Sequence, residues 1–169
     1  MFYGEFKRHL DAKGRVMIPS EYRDLIGDSV YITLGLDHNL MIFQPQVYEQ
    51  VLNNILQMNI FDANARRLRR MFLSKARLQT VDKNARIRIP AELSGAIQIP
   101  TSSDIVLAGN GHYIEVWNEA EWNTFNLSLT DPVQNEMRFE NFQMVLQTPI
   151  PEKTTPIEPE SDSPLAAET

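Results

Sequence analysis

One eleven-residue pattern occurs twice in this chain, at positions 11–21 and 82–92, a spacing of 71 residues. Each copy reads Asp-x-x-x-Arg, then an apolar/x/Ile alternation, proline, a small residue and glutamate. The first copy places Asp11, Arg15, Ile18, Pro19 and Glu21; the second places Asp82, Arg86, Ile89, Pro90 and Glu92. A period this long describes a small folding unit, not a solenoid repeat. In 169 residues, two such units imply one compact domain or two small ones sharing a core. They also imply a built-in pseudo-twofold, the symmetry commonly used to read paired DNA sites.

Composition narrows the options. Hydrophobic residues make up 43% of the chain, enough for a globular core. No run of 18 apolar residues suggests a membrane span, and Met1 to Phe6 lacks the basic-then-apolar order of a signal peptide. Cysteine is absent, which removes disulfides, thiol nucleophiles and zinc–thiolate sites together. A cytoplasmic protein fits these features.

The net charge of −6 argues against a nucleic-acid binder until its distribution is considered. Residues 149–169 hold one base, Lys153, and five acids, a net of −4, so the rest of the chain carries only −2. Between Asp62 and Arg88 there are nine bases and two acids. Attraction to phosphate is local, so a basic face can serve on an acidic protein. The same tail carries Pro149, Pro151, Pro156, Pro159 and Pro164 among Glu, Ser and Thr. It cannot bury enough apolar surface to offset its ordering entropy and is expected to be disordered, leaving a folded part of about 1–147.

In the first repeat, residues 2–10 and 15–18 read as strands joined by a tight turn that Asp11 opens and where Gly14 can take positive φ. Pro19 starts a short helix that stops near Gly27. Residues 30–34 and 40–43 predict a second hairpin. Pro45 suits the first turn of a helix over about 46–58, with Val47, Val51, Ile55 and Met58 on one face. The second repeat follows the same plan: a hairpin of 78–81 and 86–89, a short helix after Pro90, then a three-residue insertion that shifts the spacing to 74. That spacing aligns Gly35 with Gly109, His38 with His112, Phe43 with Trp117 and Tyr48 with Trp122. Asn118 predicts the N-cap of a helix through Asn126. Asp131 and Pro132 begin a last helix, on which Val133, Met137, Phe139, Phe142 and Met144 to Leu146 supply a broad apolar stripe. That stripe suits a partner subunit or packing within the chain.

The connection between repeats predicts a helix from Asp62 to about Lys75. On it Arg66, Arg67, Arg69 and Arg70 crowd two turns with no interleaved acid. Like charges three or four apart repel, and a partner supplying negative charge, phosphate or a neighbouring subunit's acids, would relieve this.

In the repeated motif, four residues span a tight turn, so Asp and Arg sit near one ribbon end. The carboxylate can bind backbone N–H groups inside the turn. The arginine, braced by a carboxylate, could present a rigid fork matching phosphate oxygens or a guanine edge. The same geometry also suits a salt bridge that only staples the turn. Lys7, Arg8, Lys13 and Arg15 cluster around the first turn in sequence; Lys75, Arg77, Lys83, Arg86 and Arg88 cluster around the second. The second turn, Lys83-Asn84-Ala85, lacks a glycine where the first has Gly14, so it is expected to differ in type and to aim Arg86 differently.

From Asp11 to Arg23 the pattern Asp-x-x-Gly-Arg-Val-x-Ile-Pro-x-Glu-x-Arg resembles the swapped-hairpin DNA-binding module of the AbrB/SpoVT type. Two such modules, separated by a helix running from Met58-Asn59 to Arg70 and opened by Met-Phe-x-Gly, resemble the MraZ family of bacterial transcriptional regulators of the cell-division and cell-wall gene cluster. The resemblance covers about residues 1–147. It implies an α+β fold in which two tandem repeats intertwine their hairpins into one pseudo-symmetric barrel flanked by helices. The corresponding divisions are 5–47 and 76–121 for the repeats, 48–75 for the basic linking helices, 122–147 for the C-terminal helices and 148–169 for the tail. It further implies a ring of subunits, nucleoid association, and Asp11/Arg15 and Asp82/Arg86 facing double-stranded DNA; the clustering of bases in sequence adds Lys13, Lys83, Lys7 and Arg8 as expected supporting contacts. Family members recognise short direct repeats upstream of their own operon, usually as repressors.

Other readings remain open at this point. A non-enzymatic scaffold would use the repeated motifs as turn staples and the arginine helix to bind acidic neighbours. An enzyme is disfavoured by the lack of a phosphate-binding glycine loop, a nucleophile elbow or metal-spaced histidines. His38 and His112 read as turn residues. No cofactor, small-molecule substrate or membrane partner is expected.

Overall fold

The computed structural model describes residues 1–139. Eight strands and six helices follow one another as β1 (Glu5–Leu10), β2 (Arg15–Met17), α1 (Ser20–Ile26), β3 (Ser29–Leu34), β4 (Leu40–Phe43), α2 (Pro45–Gln57), α3 (Ala63–Arg69), β5 (Arg77–Thr80), β6 (Arg86–Arg88), α4 (Ala91–Ala96), β7 (Ser103–Asn110), β8 (Tyr113–Asn118), α5 (Glu119–Leu129) and α6 (Pro132–Phe139). The basic helix continues from Arg70 as a π-helical turn, Arg70–Ser74. The expected apolar positions Phe142 and Met144 to Leu146, and the tail, lie outside the described residues.

Strand pairing departs from simple hairpins. β1 and β2 are joined by a tight turn but are not sheet partners; nor are β5 and β6. Instead β1 pairs with β7 of the other repeat, β5 pairs with β3, and β2 pairs with β6. All these pairings are antiparallel. The large sheet runs β1-β7-β8-β4-β3-β5, a palindrome in which each repeat lends its first strand to the other. The two-stranded β2–β6 ribbon is the second sheet. This is the swapped arrangement that the resemblance implies. Its physical reason lies in the side-chain alternation: Val16 and Ile87 are each at most 1% exposed and face each other at the ribbon's centre, while Leu10, Ile32, Ile105 and Leu107 line the large sheet's inner face. Burying such a side chain contributes roughly 1.5–3 kcal/mol, which a free-standing hairpin would forgo. Both repeats therefore supply one continuous core.

The outer face of the sheet carries α2, the π-turn and α5, while Tyr22 and Ile26 of α1 and Leu93 of α4 pack into the core on the inner side. β4 is buried at all four residues: Leu40 and Ile42 face the core, and Met41 and Phe43 face α2 and the π-turn with Tyr48, Ile55 and Phe72. On α2, Val47, Val51 and Ile55 join this packing, while Met58 lies past the helix end and is half exposed. α5 covers β7 and β8 in the same way, through Val106, Ala108, Trp117, Trp122 and Phe125. The expected equivalences of Phe43 with Trp117 and Tyr48 with Trp122 hold as packing: the ring centroids of the two pairs are 6.1 and 5.5 Å apart. Asn118 caps α5 through Ala120 N–H at 2.9 Å, and the helix continues past Asn126 to Leu129.

Gly35 and Gly109 are not equivalent. Leu34 pairs with Leu40, and Gly109 pairs with Ile114, so Gly109 occupies the place of Leu34 and the first turn is one residue longer. A side chain is excluded at Gly109 because the N-terminal segment crosses there. A Cβ would lie 2.4 Å from Tyr3 N and 2.6 Å from the Tyr22 hydroxyl oxygen. Gly109 N–H donates to Gly4 O, and the Tyr22 hydroxyl donates to Tyr3 O at 2.9 Å. His38 and His112 both sit in hairpin turns, His38 with a φ of 59°.

Candidate functional site

The ribbon presents the duplicated motif. With Val16 and Ile87 pointing inward, their neighbours Arg15, Met17, Arg86 and Arg88 alternate to the outward face. Arg15 stands opposite Arg88, and Met17 stands opposite Arg86. The two Asp-x-x-x-Arg turns lie at opposite ends of the ribbon and are tied across it. Ile89 N–H donates to Gly14 O and Ile18 N–H to Ala85 O, both at 2.8 Å.

Each turn is organised around its aspartate. Asp11 Oδ1 accepts the backbone N–H of Lys13 at 2.9 Å and of Arg15 at 2.8 Å, while Oδ2 takes Arg15 Nε and Nη2 at 2.8 Å. Asp82 repeats the set: Oδ1 takes the N–H groups of Asn84 and Arg86, and Oδ2 takes Arg86 Nε, all at 2.9 Å, with Nη2 at 2.8 Å. In both, the opening residue also donates its N–H to the arginine's carbonyl at 2.9 Å. Hydrogen bonds to the ionised form favour it. The Arg15 N–H is the largest influence holding the Asp11 carboxyl down to about 2. The Arg86 side chain does most to lower Asp82.

The expectation that the second turn differs is corrected. Ala85 takes a φ of 55°, beside 72° at Gly14, and the backbone hydrogen bonds match. Each bracing carboxylate supplies enough contacts to hold even a residue with a Cβ in the left-handed region. Arg86 is therefore aimed as Arg15 is. Bracing occupies one edge of each guanidinium and leaves Nη1 without a partner among the described residues.

Six of the eight residues singled out by sequence meet at these two ribbon ends: Asp11, Lys13, Arg15, Asp82, Lys83 and Arg86. Lys13 and Lys83 are exposed, with no ion pair among the described residues. The other two do not join them. Lys7 lies on the opposite face of β1 from the core-facing Leu10, bound to Glu119 at 2.6 Å and Asp104 at 3.3 Å. Arg8 places its guanidinium 5.5 Å from the Phe6 ring centroid and donates to Lys7 O. Strict alternation along β1 separates these two adjacent bases, which proximity in sequence cannot reveal. Around the second turn, Lys75 and Arg77 are also taken up, each bound to Glu92 at 2.8 Å.

The arginine helix is partly satisfied internally. Arg69 Nη2 donates to Leu56 O and Met58 O, capping the end of α2, and Arg66 Nη1 donates to Ile60 O and Phe61 O, all within 2.9 Å. Backbone carbonyls at a helix C-terminus carry partial negative charge, so they relieve part of the repulsion without a second molecule. Arg67 and Arg70 stay exposed.

Met17 is new to the site, and Arg88, which sequence groups with the second turn, stands instead beside Arg15 at the first. Arg88 is exposed and has no hydrogen bond or ion pair among the described residues. It borders a cleft of about 140 Å³ with Lys13, Gly14, Ser94 and Thr101. Alternation around Ile87 is the signal that would have found it.

A doubled swapped-hairpin module with a carboxylate-braced arginine at each end of an exposed ribbon defines the class: a tandem AbrB-like protein. The family model described as "MraZ protein, putative antitoxin-like" matches residues 1–71 and 72–137. The chain is 32% identical over 141 residues to "Transcriptional regulator MraZ" of Natranaerobius thermophilus, covering 83% of this chain and 93% of that protein. The protein of the same name from Roseiflexus sp. is 32% identical over 145 residues, covering 82% of this chain and all of its own length. That of Halothermothrix orenii is 34% identical over 122 residues, covering 72% and 84%. The chain belongs to the MraZ family. The solution structure of PHS018 from Pyrococcus horikoshii overlays 67% of this chain at 16% identity and a TM-score of 0.32, too loose an overlap to carry an argument.

Proposed function

We propose that this chain is a sequence-specific DNA-binding transcriptional regulator, acting as a repressor on promoter DNA of the cell-division and cell-wall gene cluster, its own operon included. Arg15 and Arg86 contact DNA, Asp11 and Asp82 hold them in place, and Lys13 and Lys83 add phosphate contacts. The observation that carries this reading is the pair of braced guanidinium groups on one outward ribbon face. A two-stranded β-ribbon fits the major groove of B-DNA, where a rigid arginine fork can bind guanine O6 and N7. The relatives' shared description as transcriptional regulators supports the same reading.

One ribbon offers few contacts, so binding by a ring-shaped oligomer to tandem direct repeats supplies the remaining affinity through effective concentration. The role needs no catalytic step and no cofactor. It places the protein in the cytoplasm on the nucleoid. Among the described residues no helix is long and apolar enough to cross a membrane.

The test is a fluorescence-anisotropy titration near physiological salt, with DNA from upstream of the protein's own gene against a scrambled duplex. Preference for the native DNA, lost in Arg15→Ala with assembly intact, supports the reading. Equal binding to both sequences, or loss of assembly rather than of binding, overturns it in favour of a scaffold. A single-repeat duplex bound as tightly as a multi-repeat one would remove the multivalent part.

A further inference from the structure

Repeat-equivalent positions on the ribbon face differ at one point. The spacing of 71 relates Arg15 to Arg86 and Met17 to Arg88. Because the strands are antiparallel, Arg88 falls beside Arg15 and Met17 beside Arg86. One rung of the ribbon thus holds two arginines, and the next holds an arginine and a methionine. Each turn adds one exposed lysine and one bracing aspartate. The Arg15 end therefore carries Lys13, Arg15 and Arg88 against Asp11, two net positive charges. The Arg86 end carries Lys83 and Arg86 against Asp82, one net positive charge. The backbone is pseudo-symmetric, and the charge on it is not.

The Arg15–Arg88 rung also lacks an acid for its second member. Directly opposed side chains on paired strands stand about 5 Å apart at Cβ, and like charges there are unfavourable. Asp11 offsets Arg15, but Arg88 has no such partner among the described residues. A ligand bringing negative charge or hydrogen-bond acceptors to this rung would relieve the repulsion. The two rungs are separated by two residues, about 7 Å, which is about two base-pair steps of B-DNA.

Building on the DNA-binding reading above, we infer that Arg88 is a DNA contact and that the Arg88/Met17 difference sets the direction in which each subunit lies on its site. The arginine pair takes the base edges or phosphates richest in acceptors. The Arg86–Met17 rung sits two base pairs away, where the methionine side chain offers an apolar surface, such as a thymine methyl group can use. A pseudo-twofold reader built this way distinguishes a site from its inverse and so suits a non-palindromic sequence.

Direction can be read directly because the chain has no cysteine. Ser20→Cys and Ala91→Cys are repeat-equivalent exposed positions at the two ribbon ends, Ser20 beyond the Met17 end and Ala91 beside Arg88. Each carries a tethered iron chelate that cuts nearby DNA by hydroxyl radicals. The target is a duplex with one copy of the sequence that the unmodified protein protects. The expected result is cutting on one side of the site from residue 91 and on the other side from residue 20. Met17→Arg combined with Arg88→Met keeps the total charge and moves the arginine pair to the other rung; it should reverse the two patterns. Arg88→Met alone should weaken binding by about tenfold, make cutting two-sided, and reduce the salt slope by about 0.9. Two-sided cutting by the unsubstituted ribbon, or a pattern that the swap leaves unchanged, overturns the inference while leaving DNA binding intact. Absence of binding to any DNA overturns the underlying reading and the inference with it.

Discussion

The two turns of the repeated motif are built alike from unlike sequences, and the comparison isolates what holds them. The first uses Ala12-Lys13-Gly14 and the second Lys83-Asn84-Ala85, yet both reach left-handed backbone at the third residue with matching hydrogen bonds. What they share is the aspartate, the arginine four residues on, and the cross-ribbon bond from Ile89 or Ile18. Glycine makes this conformation easier; the carboxylate and the partner repeat impose it. The halves differ more where the chain crosses itself. Gly109 lies under the N-terminal segment, and its equivalent Leu34 does not.

Gly109→Ala presses hardest on that difference. Its Cβ would meet backbone atoms of Phe2 and Tyr3 at 2.5 Å or less, so the crossing must shift. A loss of about 3 kcal/mol is expected, read as a lower urea midpoint at unchanged slope. A loss below about 1 kcal/mol would show that the segment yields easily. Next in size is the pair Arg15→Ala and Arg86→Ala. Because both turns aim alike, each should weaken specific DNA binding by tenfold or so, and by similar factors. A much smaller effect at Arg86 would mean that equal geometry does not bring equal contact.

Exchanging residues at the third turn position gives smaller, opposite effects. Ala85→Gly should stabilise by about 0.5 kcal/mol, because release of left-handed strain exceeds the extra entropy of an unfolded glycine. Gly14→Ala should destabilise by about 1 kcal/mol, its Cβ lying 3.2 Å from Ile89 O. Denaturant midpoints measure both, and a destabilised Ala85→Gly would contradict the account of the turn. The smallest effect is that of pH. Asp11 has a folded pKa of about 2, below the ordinary 3.8, so its contribution is present above 3.8 and is lost as pH falls through about 2. The Lys13 and Arg15 amide resonances should therefore stay constant from neutral pH to about 3 and move near 2. Movement centred near 4 would mean that the brace is not formed in solution.

Much of this was legible beforehand. Aspartate, arginine and proline at fixed spacing located both turns, alternation located the strands, and Asn118 and Asp131 marked helix starts. The candidate site was legible at the turns because a four-residue motif fixes its own local geometry. At Lys7 and Arg8 adjacency groups what strand alternation separates, and neither joins the turn. Sequence groups Arg88 with the second turn, whereas its neighbour in the fold is Arg15, 73 positions away in the chain.

By itself the sequence determined the duplication, the carboxylate-centred turn chemistry and the repeat equivalence of Phe43 with Trp117 and Tyr48 with Trp122, since each is written in short stretches of chain. Only the tertiary structure decided which strands pair, that Gly109 must be bare, which bases Glu92, Glu119 and Asp104 neutralise, and that Arg15 stands beside Arg88. Those outcomes depend on swapping strands between repeats to bury one common core, and that exchange is a long-range choice that no local pattern encodes.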